Sequence, residues 1–452
     1  MSITFEHILK ANGKSWNFKI GGSGCEKNIS RTPTILNKDS ITIYCYGQDS
    51  RAVFKTDEQL ILTIADGHGP KEYGRKISYK LHEYLITYMA GISAFILEEI
   101  KENNQSSIEN MVKDMFNHVN DIILNEDDET SKFTDGGSTF TMIQKIIDIE
   151  TGNLYSLCYN VGDSPCFKIE THENDISIKE LTQDQNCDNI QVIEDYCNEC
   201  LKKGLTPSKV ILGRFNTEMG HKIPWMDYNL IYPYVYTIVN DKYKVTPNID
   251  VMKSFYENAD DMFRYTTLNN GGPQSIRGRP TNIKKIINGE YPMENFGSTL
   301  EKSLQTPSSF GDKRSKYKHN INCIPNTSIE VHNQRKIYEF MGSDGAIDCL
   351  TDDEIIRLFK YKTSKKMHME EFIKFMDSSI DIQAKLGGFP FTKDTELPKW
   401  DDISYWVVST EYKEDLEYKI KKLEKENEEM VKMALKIQDE IEYINSVLNN
   451  ID

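Results

Sequence analysis

The chain has 452 residues, with 54 Lys and Arg against 70 Asp and Glu, a formal charge of −16. That balance argues against nucleic-acid or membrane-surface partners, which need a cationic face. The 24 Tyr and 19 Phe exclude wholesale disorder, and the length allows roughly three domains or one large domain with insertions. No stretch approaches the roughly 18 apolar residues of a membrane span. The start, Met1 to His7, has neither a basic n-region nor an apolar h-region. Nine Cys, an odd number without a secretion signal, read as reduced thiols in an intracellular, cytoplasmic protein. Cys197 and Cys200 have zinc-like spacing, but no second such pair exists, so ordinary thiols are the better reading.

Residues 1–40 are polar, with Gly21-Gly22-Ser23-Gly24 and Pro33, and are expected to form an N-terminal extension with little core of its own. From about 41 onward, strand-like runs alternate with helical patterns. Leu60 to Ala65 reads as a buried strand ending at Asp66. Pro70 suits a first helical position, and Tyr73, Ile77, Leu81, Leu85 and Met89 follow at helical spacing. A second helix carries Ile108, Met111, Met115, Val119 and Ile122 as its apolar face. Ser138 to Ile143 and Leu154 to Val161, separated by Glu150-Thr151-Gly152-Asn153, read as a hairpin. Residues 188–296 mix a Tyr-rich strand-like stretch, 228 to 236, with polar segments and read as an insertion subdomain. Lys336 to Met341 is another strand, followed by the capping-box pattern Thr351-Asp352-Asp353-Glu354. Asp401 to Val408 is the last strand.

The tail differs. Seam positions, all but one apolar, step by four and three through Leu416, Ile420, Leu423, Asn427, Met430, Ala434, Ile437, Ile441, Ile444, Leu448 and Ile451. This is a heptad seam with Asn427 at an a position, Lys419 at g and Glu424 at e. It predicts a coiled coil over 412–452 and a homodimer; the alternative is a lone amphipathic helix packed on its own domain.

Several strand ends carry acidic residues: Asp66 in Asp66-Gly67-His68-Gly69, Asp163 in Asn160-Val161-Gly162-Asp163, Asp344 in Ser343-Asp344-Gly345, and Asp401. One such Asp is usually a turn residue or helix cap. If the topology gathers them, they form an oxygen-rich cluster suited to Mg²⁺ or Mn²⁺. Two such ions, roughly 3.5–4 Å apart, can hold a phosphoryl group and activate a water.

The segment Ile64-Ala65-Asp66-Gly67-His68-Gly69 resembles the signature of metal-dependent serine/threonine protein phosphatases of type 2C. Further likenesses follow in the family's order. They are Gly137-Ser138-Thr139, Asn160-Val161-Gly162-Asp163-Ser164, Leu181-Thr182-Gln183-Asp184, Ser309-Phe310-Gly311-Asp312, Ser343-Asp344-Gly345 and Asp401-Asp402-Ile403-Ser404. The resemblance spans about 44–410 and implies an α+β domain over 41–411, a sandwich of two antiparallel β-sheets flanked by helices (α-β-β-α), with the dinuclear site at one end. It implies that Asp66 bridges two Mn²⁺ or Mg²⁺ ions and that Gly67 offers its carbonyl to one. Asp344 and Asp401 would complete the other shell, and Asp163 and Asp348 would hold a weaker third ion. His68 would be the general acid that protonates the leaving serine or threonine oxygen, and Asp49 matches the acidic end of the first motif.

There are departures. The Arg that grips the substrate phosphate in the family is replaced by Tyr44, with Arg51 and Arg75 as nearby substitutes. Gln48, Pro165, Gln185, Ser308 and Ile347 also depart from the pattern. The stretch 188–296 falls where the family has its flap, enlarged here. The leading expectation is a phosphatase acting on phosphoserine or phosphothreonine in proteins, through a metal-activated water. Its rivals are a phosphatase-like scaffold that binds partners without turnover, and a Mg²⁺-dependent phosphodiesterase.

Overall fold

A run such as Gln59–Ala65, apolar at nearly every position, is satisfied only where both faces of a strand are covered. The computed structural model describes residues 2–26, 30–69, 71–125, 136–171, 175–182, 185, 190–205, 234–240, 242–247, 308–312, 322–332, 336–347, 350, 352–386, 402–414 and 416–448. In it that run is β6 (Gln59–Ala65), buried throughout. It lies at the centre of a seven-stranded antiparallel sheet. The order is β16 (Asn326–Val331), β10 (Leu154–Val161), β9 (Phe140–Ile147), β6, β5 (Asp49–Lys55), β4 (Ile41–Tyr46) and β3 (Thr34–Lys38). The second sheet has six antiparallel strands, in the order β1 (Ile3–Ala11), β2 (Lys14–Cys25), β18 (Ile403–Glu414), β17 (Ile337–Gly342), β11 (Cys166–Thr171) and β12 (Ile176–Glu180). A three-stranded strip joins β15 (Phe310–Gly311), β8 (Gly137–Ser138) and β7 (Gly67–His68), and β13 (Tyr234–Val239) pairs with β14 (Lys242–Pro247).

The sheets stack on an inner core that includes Trp16, Phe18, Leu62, Ile64, Ile143 and Trp406. The outer face of the seven-stranded sheet is covered by α1 (Lys71–Gly91), α2 (Ser93–Lys101) and α3 (Gln105–Asn125). Beyond α4 (Ile190–Lys202) and the single turn α5 (Asp344–Ile347) come α6 (Asp352–Ser364) and α7 (Met369–Leu386). These last two cover the six-stranded sheet through Leu358, Phe359, Phe372 and Ile373. The architecture is therefore α-β-β-α, as the sequence implies.

Residues 1–40 are not an extension. β1 and β2 form a hairpin at the edge of the six-stranded sheet, and Leu9, Trp16, Phe18 and Ile20 belong to the inner core. Asn12-Gly13 is the turn, both residues at positive φ (45° and 74°), as a two-residue hairpin demands. The Gly-rich run is strand, not loop: a Cβ on Gly22 would collide with the Arg51 guanidinium. In α3 the buried face is one residue away from expectation, on Ile108, Val112, Phe116, Val119 and Ile123. The last strand continues to Glu414, paired with β2, so the domain ends there rather than at 411. Of the 188–296 insertion, α4 with the three residues after it and the β13–β14 hairpin are described; the remainder lies outside the described residues. Cys197 and Cys200 lie one turn apart on α4, both buried, and burial pushes the Cys197 thiol up to about 12. Among the described residues no helix is long and apolar enough to cross a membrane.

Two polar staples cross the inner core. The Arg51 guanidinium is completely buried and lies 4.3 Å over the Trp406 ring. It donates to the Ser23 and Tyr405 carbonyls at 3.0 and 2.7 Å and to the Tyr46 hydroxyl at 3.0 Å. Deeper in, Lys145 Nζ bonds Glu339, donates to Ser156 Oγ at 2.8 Å and lies 3.0 Å from His332 Nε2. Both staples join a strand of one sheet to the other.

His82 of α1 is fully buried between Ser50 Oγ (2.8 Å) and Thr63 Oγ1 (2.7 Å), and burial lowers its pKa to about 3. The native state thus holds it neutral, while the unfolded chain takes up a proton below about 6.5. The stability it contributes is present above that pH and lost as pH falls toward 3. Lowering the pH from 7 to 5 should cost about 2 kcal/mol at this site. Urea unfolding of the wild type and His82→Asn at both pH values checks this: the variant should lose about 2 kcal/mol less than the wild type.

Candidate active site

β7 is short because its two residues have a single task, to turn the end of β6 alongside β8. Gly67 pairs with Ser138 and His68 with Gly137, while Phe310 and Gly311 pair with the same two residues from the other side. Three motifs far apart in sequence thus share one strip. Gly137 has to be glycine, since a Cβ would run into Asp312 Oδ2 and the Phe310 carbonyl. Gly67 is equally confined: a Cβ there would stand 2.6 Å from Gly74 O and 2.7 Å from Gln48 O.

From this strip a continuous series of bonds runs through the loops at this end of the sandwich. Thr139 N–H donates to Asp66 O at 2.9 Å, and Thr139 Oγ1 meets Ser164 Oγ at 2.7 Å. Next to Ser164, the Pro165 carbonyl accepts from Gly342 N–H at 3.3 Å. Ser343 and Ser404 exchange two bonds, Ser343 N–H to Ser404 O at 2.8 Å and Ser404 N–H to Ser343 Oγ at 3.0 Å. Beside Ser404, Asp402 Oδ2 accepts from Gln48 N–H at 2.7 Å. Gln48 closes the series through Nε2 to Gly69 O at 3.2 Å, back in the segment that holds Asp66. Gly47, at φ +69°, lets this turn press against Asp402, whose carboxylate would collide with a Cβ at that position.

Asp49, Asp66, Gly67, His68, Asp163 and Asp344 all lie on or next to these bonded loops. Asp49 is 2% exposed and Asp163 8%; Asp66 and Asp344 are half-buried. Asp344 opens α5 directly after Ser343. Asp401 and Asp348 lie outside the described residues. The donor set is carboxylates plus the Gly67 carbonyl, hard oxygen ligands that fit Mg²⁺ or Mn²⁺ by type. Among the described residues no three His, Cys, Asp or Glu side chains converge as a metal-holding group. The chemistry of the donors therefore fits the ions, while a finished ligand cage is not formed by the described residues alone.

His68 is 2.8 Å through Nε2 from Asp312 Oδ2, a carboxylate 1% exposed that also accepts from Ser309 Oγ at 2.5 Å. Asp312 is itself at φ 48°, following Gly311 at φ 74°. This partnership is not legible in the sequence. The Phe-Gly-Asp segment is visible, but nothing in its spacing assigns Asp312 to the histidine 244 residues away. The available signal is the pairing of two glycine-containing motifs, which is the mark of close backbone approach.

The substitutes for the absent phosphate-gripping Arg divide. Arg51 is overturned as a candidate, because its guanidinium is locked in the inner core. Tyr44 packs edge-on against Trp406 at 6.0 Å, with the Arg51 guanidinium 5.4 Å from its ring, and faces the same interior. Arg75 stays half-exposed on α1. Gln185, where the family has His, buttresses the Asp163 turn instead: its Oε1 accepts from Gly162 N–H at 2.9 Å and its Nε2 donates to Ile324 O at 3.2 Å.

No protein-family model matches the sequence, and no curated protein sequence matches it. Solved structures of similar fold include a serine-threonine phosphatase 2C from Toxoplasma gondii, 11% identical, with 91% of this chain and 99% of that chain covered at a TM-score of 0.47. A C. elegans sex determining protein is 13% identical, over 86% of this chain and 64% of that one, at a TM-score of 0.41. An S. agalactiae serine/threonine phosphatase is 14% identical, over 86% and 98%, at 0.36. At these values the likeness is one of shape, and the functional reading rests on the residues themselves.

Proposed function

We propose that the chain is a divalent-cation-dependent phosphatase acting on phosphoserine or phosphothreonine in proteins. The observation that supports this most is the bonded series of loops. It brings to one end of the sandwich the loops of Asp49, Asp66, Asp163 and Asp344, with His68 held against Asp312. In this reading Asp66, the Gly67 carbonyl, Asp344 and Asp401 hold two Mn²⁺ or Mg²⁺ ions, and Asp163 and Asp348 a weaker third. When bound, the ions would supply charge to the phosphoryl oxygens and a water nucleophile at neutral pH.

The chain's own contribution is proton delivery and positioning. A serine or threonine alkoxide is a poor leaving group, so a proton given to that oxygen lowers the barrier. His68 is the donor in this reading. Its Nε2 is held by Asp312, which fixes the plane of the ring from which the proton is given to the leaving oxygen. Asp312 is a positioning residue.

About 1 mM Mn²⁺ or Mg²⁺ is expected to raise both the melting temperature and the phosphatase activity, and EDTA to abolish turnover. Asp66→Asn should remove the metal-dependent shift in melting temperature together with activity. His68→Ala should keep that shift and slow an alkyl phosphate by about 10²–10⁴, with far less effect on an aryl phosphate, whose phenolate leaves unprotonated. Equal losses on both substrates, or full activity in EDTA, would contradict the mechanism. A metal-induced rise in melting temperature without any turnover would favour the scaffold reading.

The tail belongs to the same proposal. α8 (Leu416–Leu448) leaves the domain after Tyr418, whose hydroxyl donates to Asn12 Oδ1 at 3.0 Å. Ile420, Leu423, Met430, Val431, Met433, Leu435, Ile437 and Ile441 are each more than half exposed. These exposed apolar side chains support the coiled-coil reading over a lone helix packed on its own domain. A helix with such a seam is marginal alone. We propose that it pairs with a second copy in parallel. Lys419 at g then faces Glu424 at e of the partner helix, and Asn427 meets its own counterpart. Light scattering on the full chain and on a chain ending at 414 checks this. The full chain should be a dimer and the shortened one a monomer; one chain per particle in both would contradict it.

A further inference from the structure

We propose that a cationic pocket between α1 and the β3–β4 edge binds an anionic side chain of the polypeptide substrate, next to the residue being dephosphorylated. This rests on the phosphatase reading above.

The pocket has a volume of about 440 Å³. Thr34 and Cys45 form its sheet side, and Glu72, Arg75, Lys76 and Tyr79 its α1 side. Both sides run directly into the candidate active site. On the helix, Gly74 is packed so closely that a Cβ there would collide with Gln48 Nε2 and stand 2.6 Å from His68 O, and Arg75 is the next residue. On the sheet, Cys45 pairs with Ser50, beside Asp49. The pocket is thus continuous in the fold with the segments that carry His68 and Asp49.

The charges point the same way. Burial pushes the Cys45 thiol up to about 11, and the Arg75 charge is what opposes that rise, so the guanidinium field reaches the pocket floor. Among the described residues neither Arg75 nor Lys76 forms an ion pair. Other cations of the chain are committed: Arg31 to Asp377 and Asp381, Lys38 to Glu83, and Arg51 to the interior stack. Glu72, exposed at the rim, offsets one of the two charges and leaves the pocket net positive. In a chain of net charge −16, an acidic substrate is repelled at long range unless a local cation site receives it. Two adjacent cations, unpaired among the described residues and set against an aromatic wall, are such a site. Arg guanidinium suits carboxylate and phosphoryl oxygens alike.

The test compares three phosphopeptides of one sequence, in which the flanking residues are neutral, acidic, or carry a second phosphoserine. They are assayed on the full chain and on Arg75→Glu, Lys76→Glu and the milder Arg75→Gln/Lys76→Gln. The wild type should prefer the anionic flanks in KM. The charge reversals should cut the ratio of kcat/KM for anionic over neutral flanks by roughly tenfold, and added salt should shrink the preference. The size of the loss for the acidic flank against the phosphoserine flank tells which anion the pocket is built for. An unchanged ratio in all variants overturns the proposal. If no peptide is turned over, the phosphatase reading fails. Fluorescence anisotropy of the same labelled peptides then decides the pocket separately: weaker binding of anionic-flank peptides to the reversed variants supports it, and equal binding overturns it.

Discussion

The bond from the Gln48 N–H to Asp402 Oδ2 is the constraint on which the site depends. Gln48 lies in the turn between β4 and β5 of one sheet, and Asp402 stands directly before β18 of the other. Two stacked sheets have no reason to align their loop ends, because hydrophobic burial is non-directional. A buried carboxylate that takes a backbone N–H is directional, and breaking it leaves a costly unsatisfied group. Arg51 adds a second fastening a few residues away. From β5 it reaches the Ser23 and Tyr405 carbonyls of the opposite sheet, and Gly22 leaves the room it needs. Together with the bonds among Asp66, Thr139, Ser164, Ser343 and Ser404, these contacts fasten the loops of Asp49, Asp66, Asp163 and Asp344 to one another.

Much of the site is legible in the sequence because its motifs are built from glycines beside polar residues. Gly67, Gly137 and Gly311 mark places where backbones touch, and the structure brings all three into one strip. The Leu154–Val161 strand and its hairpin partner are legible from an apolar run and a turn. The first two strands are not, because Gly21, Gly22 and Gly24 have the composition of a loop. Their smallness is imposed by Arg51, Trp406, Tyr46 and Ile373 packing onto β2, which is tertiary information. Asn12-Gly13 is the local signal that marks the hairpin. The one-residue slip on α3 has a similar cause: Phe116 meets Phe140 and Phe310, and aromatic packing outweighs the Met-based face.

Asp312 shows where sequence reasoning ends. A carboxylate next to a glycine in a short motif reads equally well as a turn residue, a ligand or a partner for histidine. Only the pairing of β15 with β8 places it against His68. Arg51 gives the converse lesson. An arginine near the first motif is a reasonable phosphate ligand by position, yet alternation along β5 turns it toward Trp406 and away from solvent. Arg75 lies on the helix outside the sheet, where the same chemistry stays available.

The central claim is that these fastened loops form one divalent-cation site. A crystal of the full chain soaked in Mn²⁺ tests it most directly, through the anomalous signal of the metal. The account predicts two peaks roughly 3.5–4 Å apart, flanked by Asp66, the Gly67 carbonyl and Asp344, with His68 still against Asp312. Anomalous peaks elsewhere on the molecule, with none between Asp66 and Asp344, would contradict it.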